Sequence, residues 1–359
     1  MNNSKSVSVM KFHSDSHEIP TKKKIQKINY LSLFSGIGAF ESAMRNLQIP
    51  FNLVGYCEIA PEPAKAYSLI HNIPESKNYG DITKIDETKL PQVDFITYGF
   101  PCQDISFAGK QKGFVDEDGN KTRSGLFFDA ARIIKATRPK VAIAENVKAL
   151  VQPKFKAEFK TVLESLEDIG YNNYWSVLNA LDYNVPQKRE RVFIVSIRKD
   201  VDTGVFEFPK KLELKKHLVD YLEKDVDDKY FLTDTQLNNI FNWKAQQRPL
   251  KRILGMNSVC PTLTARGAGE YHSGMILLST DFDETHNCDS LEGISNLNCR
   301  VLTERESFRI MGFKDSEYDA IKDHFKKKDI YKMAGNSIVV DVVEKLLCML
   351  FDKDGKFSI

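Results

Sequence analysis

The chain has 359 residues, 42% hydrophobic and 28% charged, which is enough apolar material to bury a sizeable core. No apolar run approaches the roughly 18–20 residues of a membrane span, and the first thirty residues lack the apolar stretch of a secretory signal. A cytoplasmic protein is therefore expected, and a net charge of +2 means that any nucleic-acid footprint must be local.

Residues 1–27 are polar and carry the basic run Lys22-Lys23-Lys24, as expected of a flexible tail. Ile28 to Leu33 reads as a strand, Phe34-Ser35-Gly36-Ile37-Gly38 as a turn, and Ala39 to Leu47 as an amphipathic helix. Strand, glycine turn and helix open a doubly wound nucleotide-binding sheet. The glycines let the backbone approach a ligand, and the helix start favours negative charge. Glu41 stands where a dinucleotide fingerprint would carry its third glycine, which favours a cofactor without a pyrophosphate.

A second strand, Phe51 to Tyr56, ends at Glu58, where such folds hold ribose hydroxyls. Pro61 to His71 reads as a helix. Asp81 then suits either an adenine amino group or the capping of a turn. Val93 to Tyr98 is a third strand, broken by Gly99 and Pro101, so that Cys102 falls in a turn at a strand's carboxyl end. A thiol there is more often a buried space-filler, and it becomes a nucleophile only beside groups that lower its pKa. Cys57, Cys102, Cys260, Cys288, Cys299 and Cys348 form no Cys-x-x-Cys pair. That spacing opposes both a zinc ribbon and a disulfide framework, and no metal is expected.

The polar stretch from Phe107 to Ser124, punctuated by Gly109, Gly113 and Gly119, has the length of a lid. Helices are expected over Gly125–Thr137 and Phe155–Ile169, and strands over 141–144, 175–178 and 192–197. Glu145 stands at one strand end. Lys188, Arg189 and Arg191 enter another, the two arginines sharing a side if strand alternation holds. A solvated charge cluster on a sheet edge is the plainer alternative.

From Val201 to Leu302 the α/β rhythm stops. Residues 201–234 read as acidic and helix-prone. Thr235 to Gly269 contains no Asp or Glu but carries Lys244, Arg248, Lys251, Arg252 and Arg266, the local basic footprint that a polyanion needs. It ends in the glycine-punctuated loop Pro261 to Gly269. Leu302 to Met311 is a helix with Thr303 as N-cap and Glu306 as capping-box partner. The last unit, Ala334 to Ile338 and the apolar helix Val339–Leu350, returns to the first domain. The expected organisation is a tail (1–27), a catalytic and cofactor-binding domain (28–200 plus 331–359) and a smaller target-recognition domain (201–330).

In order, the pieces Phe34-Ser-Gly-Ile-Gly, Gly99-Phe-Pro-Cys-Gln, Glu145-Asn-Val, Gln187-Lys-Arg-Glu-Arg, Arg305-Glu with Met311-Gly-Phe, and Gly335-Asn-Ser make a set. That set resembles the cytosine-C5 DNA methyltransferase family of bacterial modification enzymes, over roughly Asn29 to Phe351. In size the chain is similar to the family's compact GCGC-type members. The resemblance implies an α/β, doubly wound, mostly parallel, Rossmann-like methyltransferase fold that uses S-adenosylmethionine. It implies methyl transfer to C5 of a flipped cytosine in double-stranded DNA.

Carried over, the resemblance gives the donor to Phe34, Gly36, Ile37 and Gly38, with Glu58 on its ribose, Asp81 on its adenine, and Ile59, Ile82 and Pro101 also in its site. Asn336 and Ser337 close that pocket. Cys102 would attack C6, Glu145 would bind N3 and the exocyclic amine, and Arg191, with Arg189 beside it, would contact O2. Gln103, Ser106, Lys110, Arg252, Thr262, Leu263 and Arg266 would face DNA. The family often places an aromatic residue after the ribose carboxylate, and here Ile59 stands in its place. The resemblance further implies a monomer, nucleoid-associated when on DNA, with a possible cognate restriction endonuclease.

Three other classes were weighed. A transfer-RNA methyltransferase of the same fold predicts no duplex-reading loop. A non-catalytic DNA-binding relative predicts loss of Cys102, Glu145 or Arg191, and all three are present. A nicotinamide dehydrogenase predicts the missing third glycine.

Overall fold

The computed structural model describes residues 27–101, 124–237, 253–265, 277–279, 298–352, 357 and 358. Its centre is a six-stranded sheet of β1 (Ile28–Leu33), β2 (Phe51–Cys57), β3 (Phe95–Tyr98), β4 (Val141–Val147), β5 (Tyr171–Asn179) and β7 (Glu190–Arg198). The order is β2-β1-β3-β4-β7-β5, parallel from β2 to β4, with β7 antiparallel to both β4 and β5. This is the doubly wound, mostly parallel α/β arrangement that the sequence implies.

The strands read as near-continuous apolar runs because both faces of the sheet are covered. On one face, Tyr30, Phe95 and Val195 pack with α1 (Ala39–Asn46), α2 (Pro61–His71) and α8 (Val340–Leu350). On the other, Leu31, Leu33 and Ile96 meet α3 (Phe127–Thr137) and α4 (Lys156–Asp168). The chain's end returns as expected: Phe351 and Phe357 pack edge-on to Phe95.

Residues 201–234 depart from the helix expectation. They run extended, with 3₁₀ turns at Leu218–Tyr221 and Asp228–Tyr230, and α-helical residues begin only at 234. The segment's aspartates cap turns instead of supporting helix. Asp227 accepts from the Lys229 N–H and Asp202 from the Gly204 N–H. The segment also lends backbone donors to residues just after β5, with Leu212 N–H bonding Asp182 O and Lys215 N–H bonding Asn184 Oδ1.

Beyond it come three short strands in one sheet, β8 (Ile253–Leu254), β10 (Leu277–Ser279) and β11 (Cys299–Val301). Two more, β6 (Gln187–Lys188) and β9 (Cys260–Pro261), pair with each other. Leu254, Cys260, Leu263, Leu278 and Leu302 join the core cluster that covers the first face of the main sheet. Ala334-Gly335-Asn336 forms the last turn of α7 (Lys327–Asn336).

α5 (Glu304–Ile310) begins with the expected capping box: the Glu306 N–H donates to Thr303 Oγ1 and the Thr303 N–H to Glu306 Oε2. The fully buried Glu306 also accepts two bonds from Arg300, at 2.8 and 2.7 Å, and one from the Glu223 N–H. One carboxylate thus joins β11, α5 and the 220s. Arg300→Met would leave that charge uncompensated in the interior, which costs about 3–5 kcal/mol. Denaturant unfolding of Arg300→Met should show a loss of that size, and a loss below about 1 kcal/mol would mean that the charge is relieved elsewhere.

Candidate functional site

The first turn is built around backbone strain. Phe34 and Gly36 have φ of 53° and 55°, and Gly38, the N-cap of α1, has φ of 83°. A bulky residue in the left-handed region costs about 1–3 kcal/mol and is tolerated where function needs it. A Cβ on Gly38 would lie 2.1 Å from His71 Nε2, so Gly38 is required by space as well as by φ. His71 Nε2 lies 2.9 Å from the Ile37 carbonyl, an acceptor, so that nitrogen carries the proton. Burial, with Arg45 nearby, pulls the imidazole down to about 3, so it stays neutral while it holds the turn.

At the tip of β2, Glu58 Oε2 accepts from the Gly36 N–H (3.0 Å) and Oε1 from the Ala60 N–H (2.9 Å). Burial raises its pKa while these backbone donors oppose the rise. Asn78, which sequence reasoning missed, fixes the position: its Nδ2 donates to Glu58 O and its Oδ1 accepts from the Glu58 and Gly80 N–H groups. The Asn-x-Gly spacing was the available signal. Ile59 is 71% exposed, an apolar surface left open beside Glu58. Asp81 does cap its turn, Oδ1 accepting from both the N–H and the hydroxyl of Thr83, and Ile82 is buried.

A cleft runs along the carboxyl ends of β1, β3 and β4, bounded by Phe34 to Ile37, Thr97 to Gly99, Glu145, and Asn336 to Ile338. It gathers six of the expected cofactor and catalytic residues: Phe34, Gly36, Ile37, Asn336, Ser337 and Glu145. Gly99 lies against Glu145, whose Oε2 would be 3.6 Å from a Cβ there. Asn146 Nδ2 donates to Phe100 O (3.0 Å), tying the Gly99–Pro101 turn to β4. Cys102, Gln103, Ser106, Lys110, Arg252 and Arg266 lie outside the described residues.

Arg191 Nε stands 3.1 Å from Glu145 Oε1, across the antiparallel β4–β7 pair. Burial raises the Glu145 pKa, and Arg191 and then Arg189 oppose that rise. A second, open groove of about 630 Å³ is bounded by Val147, Lys148, Lys188, Glu190, Arg191, Pro261 and Thr262. That volume lies within the roughly 300–1,000 Å³ of small-molecule sites. Each member of the ion pair thus borders one cavity, Glu145 the cleft and Arg191 the groove.

The two arginines part company. Arg189 falls in the break between β6 and β7, so strand alternation does not carry across it. Its guanidinium, 3% exposed, donates to the carbonyls of Leu263 (2.6 Å), Gly335 (3.1 Å) and Ser337. Gln187, also missed, completes the grip: its Oε1 accepts from the Leu263 N–H (3.2 Å). Thr262 Oγ1 donates to Lys188 O. Gly335 is needed here because a Cβ would meet the Thr264 carbonyl at 2.3 Å.

Arg189 accordingly ties the 262–264 loop to the Asn336–Ser337 lip of the cleft. Arg189→Lys keeps the charge but loses the planar fork. If the cleft holds the methyl donor that the resemblance implies, the substitution should weaken donor binding and slow transfer together, each by about tenfold or more. Equilibrium dialysis alongside single-turnover assays would check this, and unchanged donor binding with a collapsed rate would instead place Arg189 at the reacting base.

A family model for C-5 cytosine-specific DNA methylase matches residues 28–351. Among curated relatives, the type II methyltransferase M2.ScrFI of Lactococcus lactis subsp. cremoris is 34% identical, covering 89% of this chain and 97% of its own. The type II methyltransferase M.HhaI of Haemophilus parahaemolyticus is 31% identical, covering 90% and 94%. Among solved structures, S. pombe Dnmt2 methyltransferase superposes with a TM-score of 0.73 at 24% identity, over 89% of this chain and 97% of its own. Entamoeba histolytica EhMeth gives 0.73 at 21%, over 91% and 98%; these two speak to the fold alone. With its motifs, sheet order and match of nearly full length, the chain belongs to the C-5 cytosine-specific DNA methylase family.

Proposed function

We propose that this DNA cytosine methyltransferase moves a methyl group from S-adenosylmethionine to C5 of a cytosine flipped out of double-stranded DNA, through a covalent Cys102–C6 adduct. The observation that carries the reading is the Glu145–Arg191 pair, one member bordering the cleft and the other the groove. A methyl donor on one side and a base on the other would meet there.

The residues fit such a donor. Glu58 has both oxygens oriented by backbone N–H groups at the position of a ribose-binding carboxylate. Ile59 offers an exposed apolar face to a purine ring. When bound, S-adenosylmethionine supplies a methyl group on a sulfonium, whose departure as a neutral thioether needs no acid.

C5 of cytosine is too electron-poor to take that methyl group directly. Addition of the Cys102 thiolate to C6 makes C5 nucleophilic. Negative charge then builds on N3 and O2, where a protonated Glu145 and a cationic Arg191 would stabilise it. Burial of Glu145 favours the protonated form that this step needs. After transfer, the C5 proton leaves and the S–C6 bond breaks, restoring the aromatic ring and the thiolate. The target carbon lies inside the duplex stack, so the base must be extruded at a cost of about a few kcal/mol. Thr262 and Leu263, gripped by Lys188, Gln187 and Arg189, would support the extruded nucleotide. The basic stretch 235–269, with Arg252 and Arg266, would neutralise phosphates, while Gln103, Ser106 and Lys110 follow the nucleophile toward DNA.

We further propose that residues 28–200 and 331–359 form the catalytic part and 201–330 the target-reading part. In this reading the protein acts as a cytoplasmic monomer, with a cognate endonuclease as possible companion.

The test is incubation with S-adenosylmethionine and a methylatable duplex carrying 5-fluorocytosine, which has no C5 proton to lose. A stable protein–DNA adduct should form and map to Cys102 by mass spectrometry, and Cys102→Ala should form none while still binding S-adenosylmethionine. An adduct at another residue, or one that persists in Cys102→Ala, would contradict the assigned nucleophile.

A further inference from the structure

Glu41 is 1% exposed, lies in the first turn of α1, and is one of the residues bounding the cleft. No reading of the reaction above uses it. Its neighbours form a polar floor on an otherwise apolar sheet face. Tyr67 donates its hydroxyl to Glu41 Oε1 at 2.8 Å, and Ser32 and Tyr30 hydrogen-bond with the same carboxyl. Tyr30 in turn bonds Thr97, which borders the cleft with Ser32.

All of these partners are neutral. Among the described residues, no Lys, Arg or His forms an ion pair with Glu41. A fully buried carboxylate is costly unless a cation answers it. Among the described residues no such cation pairs with it, and the lysine that borders the cleft, Lys332, is exposed and makes no ion pair with Glu41; yet the carboxylate borders the cleft that the proposed reaction fills with an α-amino acid derivative. Of the cleft's other carboxylates, Glu145 already faces Arg191, and Glu62 and Asp329 are exposed or half-exposed on its rim. Water screens such positions and makes their ion pairs weak.

We propose that Glu41 is the counter-ion of the methyl donor's α-ammonium group, a specificity residue that selects ligands carrying an amino-acid tail over bare thioadenosines. This rests on the S-adenosylmethionine reading of the cleft. Ser32, Tyr30 and Tyr67 position the carboxylate, and the ligand's charge completes a site that the chain leaves one partner short.

Titration calorimetry on the full chain tests it with three ligands: S-adenosylhomocysteine, its analogue lacking only the α-amino group, and 5′-methylthioadenosine, which lacks the whole tail. The unaltered protein should prefer S-adenosylhomocysteine over the deaminated analogue by about tenfold or more, as for a charge-assisted bond. Glu41→Gln, close in shape and able to keep the Tyr67 bond, should erase most of that preference and bind 5′-methylthioadenosine as the unaltered protein does. Retained discrimination in Glu41→Gln would overturn the proposal. Equal loss for all three ligands would also overturn it, because Glu41 would then only shape the floor. If the unaltered protein binds none of the three, the donor reading of the cleft fails first and takes this assignment with it.

Discussion

The Glu145–Arg191 contact, 3.1 Å across the β4–β7 pair, is the constraint on which the site depends. A carboxyl buried at a strand end is driven toward its neutral form, and the adjacent guanidinium limits how far. The neutral form that burial favours is the one able to give a hydrogen bond. Only an antiparallel β7 puts residue 191 next to the end of β4, because a parallel strand of the same length would carry that arginine to the opposite edge. The reversal of β7 is therefore what the chemistry needs from the topology.

Around this pair the chain is fastened from both ends of its sequence. Gln187 and Arg189 bond the main chain of Leu263, Gly335 and Ser337, joining segments that are 74 to 148 residues away. Main-chain acceptors place no demand on which side chains the loop carries. Side chains of the 262–264 loop can thus vary while the clasp stays. Glu306 does similar work farther out through Arg300 and the Glu223 N–H.

Much of the fold was legible because parallel strands buried on two faces leave long apolar runs, as in Ile28–Leu33 and Val141–Ala144. The Thr303–Glu306 box was legible because capping is local chemistry. Residues 201–234 were misread for the opposite reason: their order comes from distant partners such as Asp182 and Asn184, which composition does not reveal. In the site, Glu58 and Glu145 could be placed at strand ends from sequence alone. The separate work of Arg189 and Arg191 could not, since a one-residue break between two strands is invisible to alternation. Nor does the sequence pattern tell that Glu41, standing where a glycine would complete another motif, is buried without a cation.

The central claim is that Glu145 and Arg191 act as one unit on charge developing in the base. A double-mutant cycle in single-turnover methyl transfer, with saturating DNA and S-adenosylmethionine, tests it most directly. Glu145→Gln and Arg191→Lys should each slow transfer by about 100-fold or more. The double variant should be little slower than the worse single one. Multiplying losses would contradict it, showing that the two side chains serve independent steps.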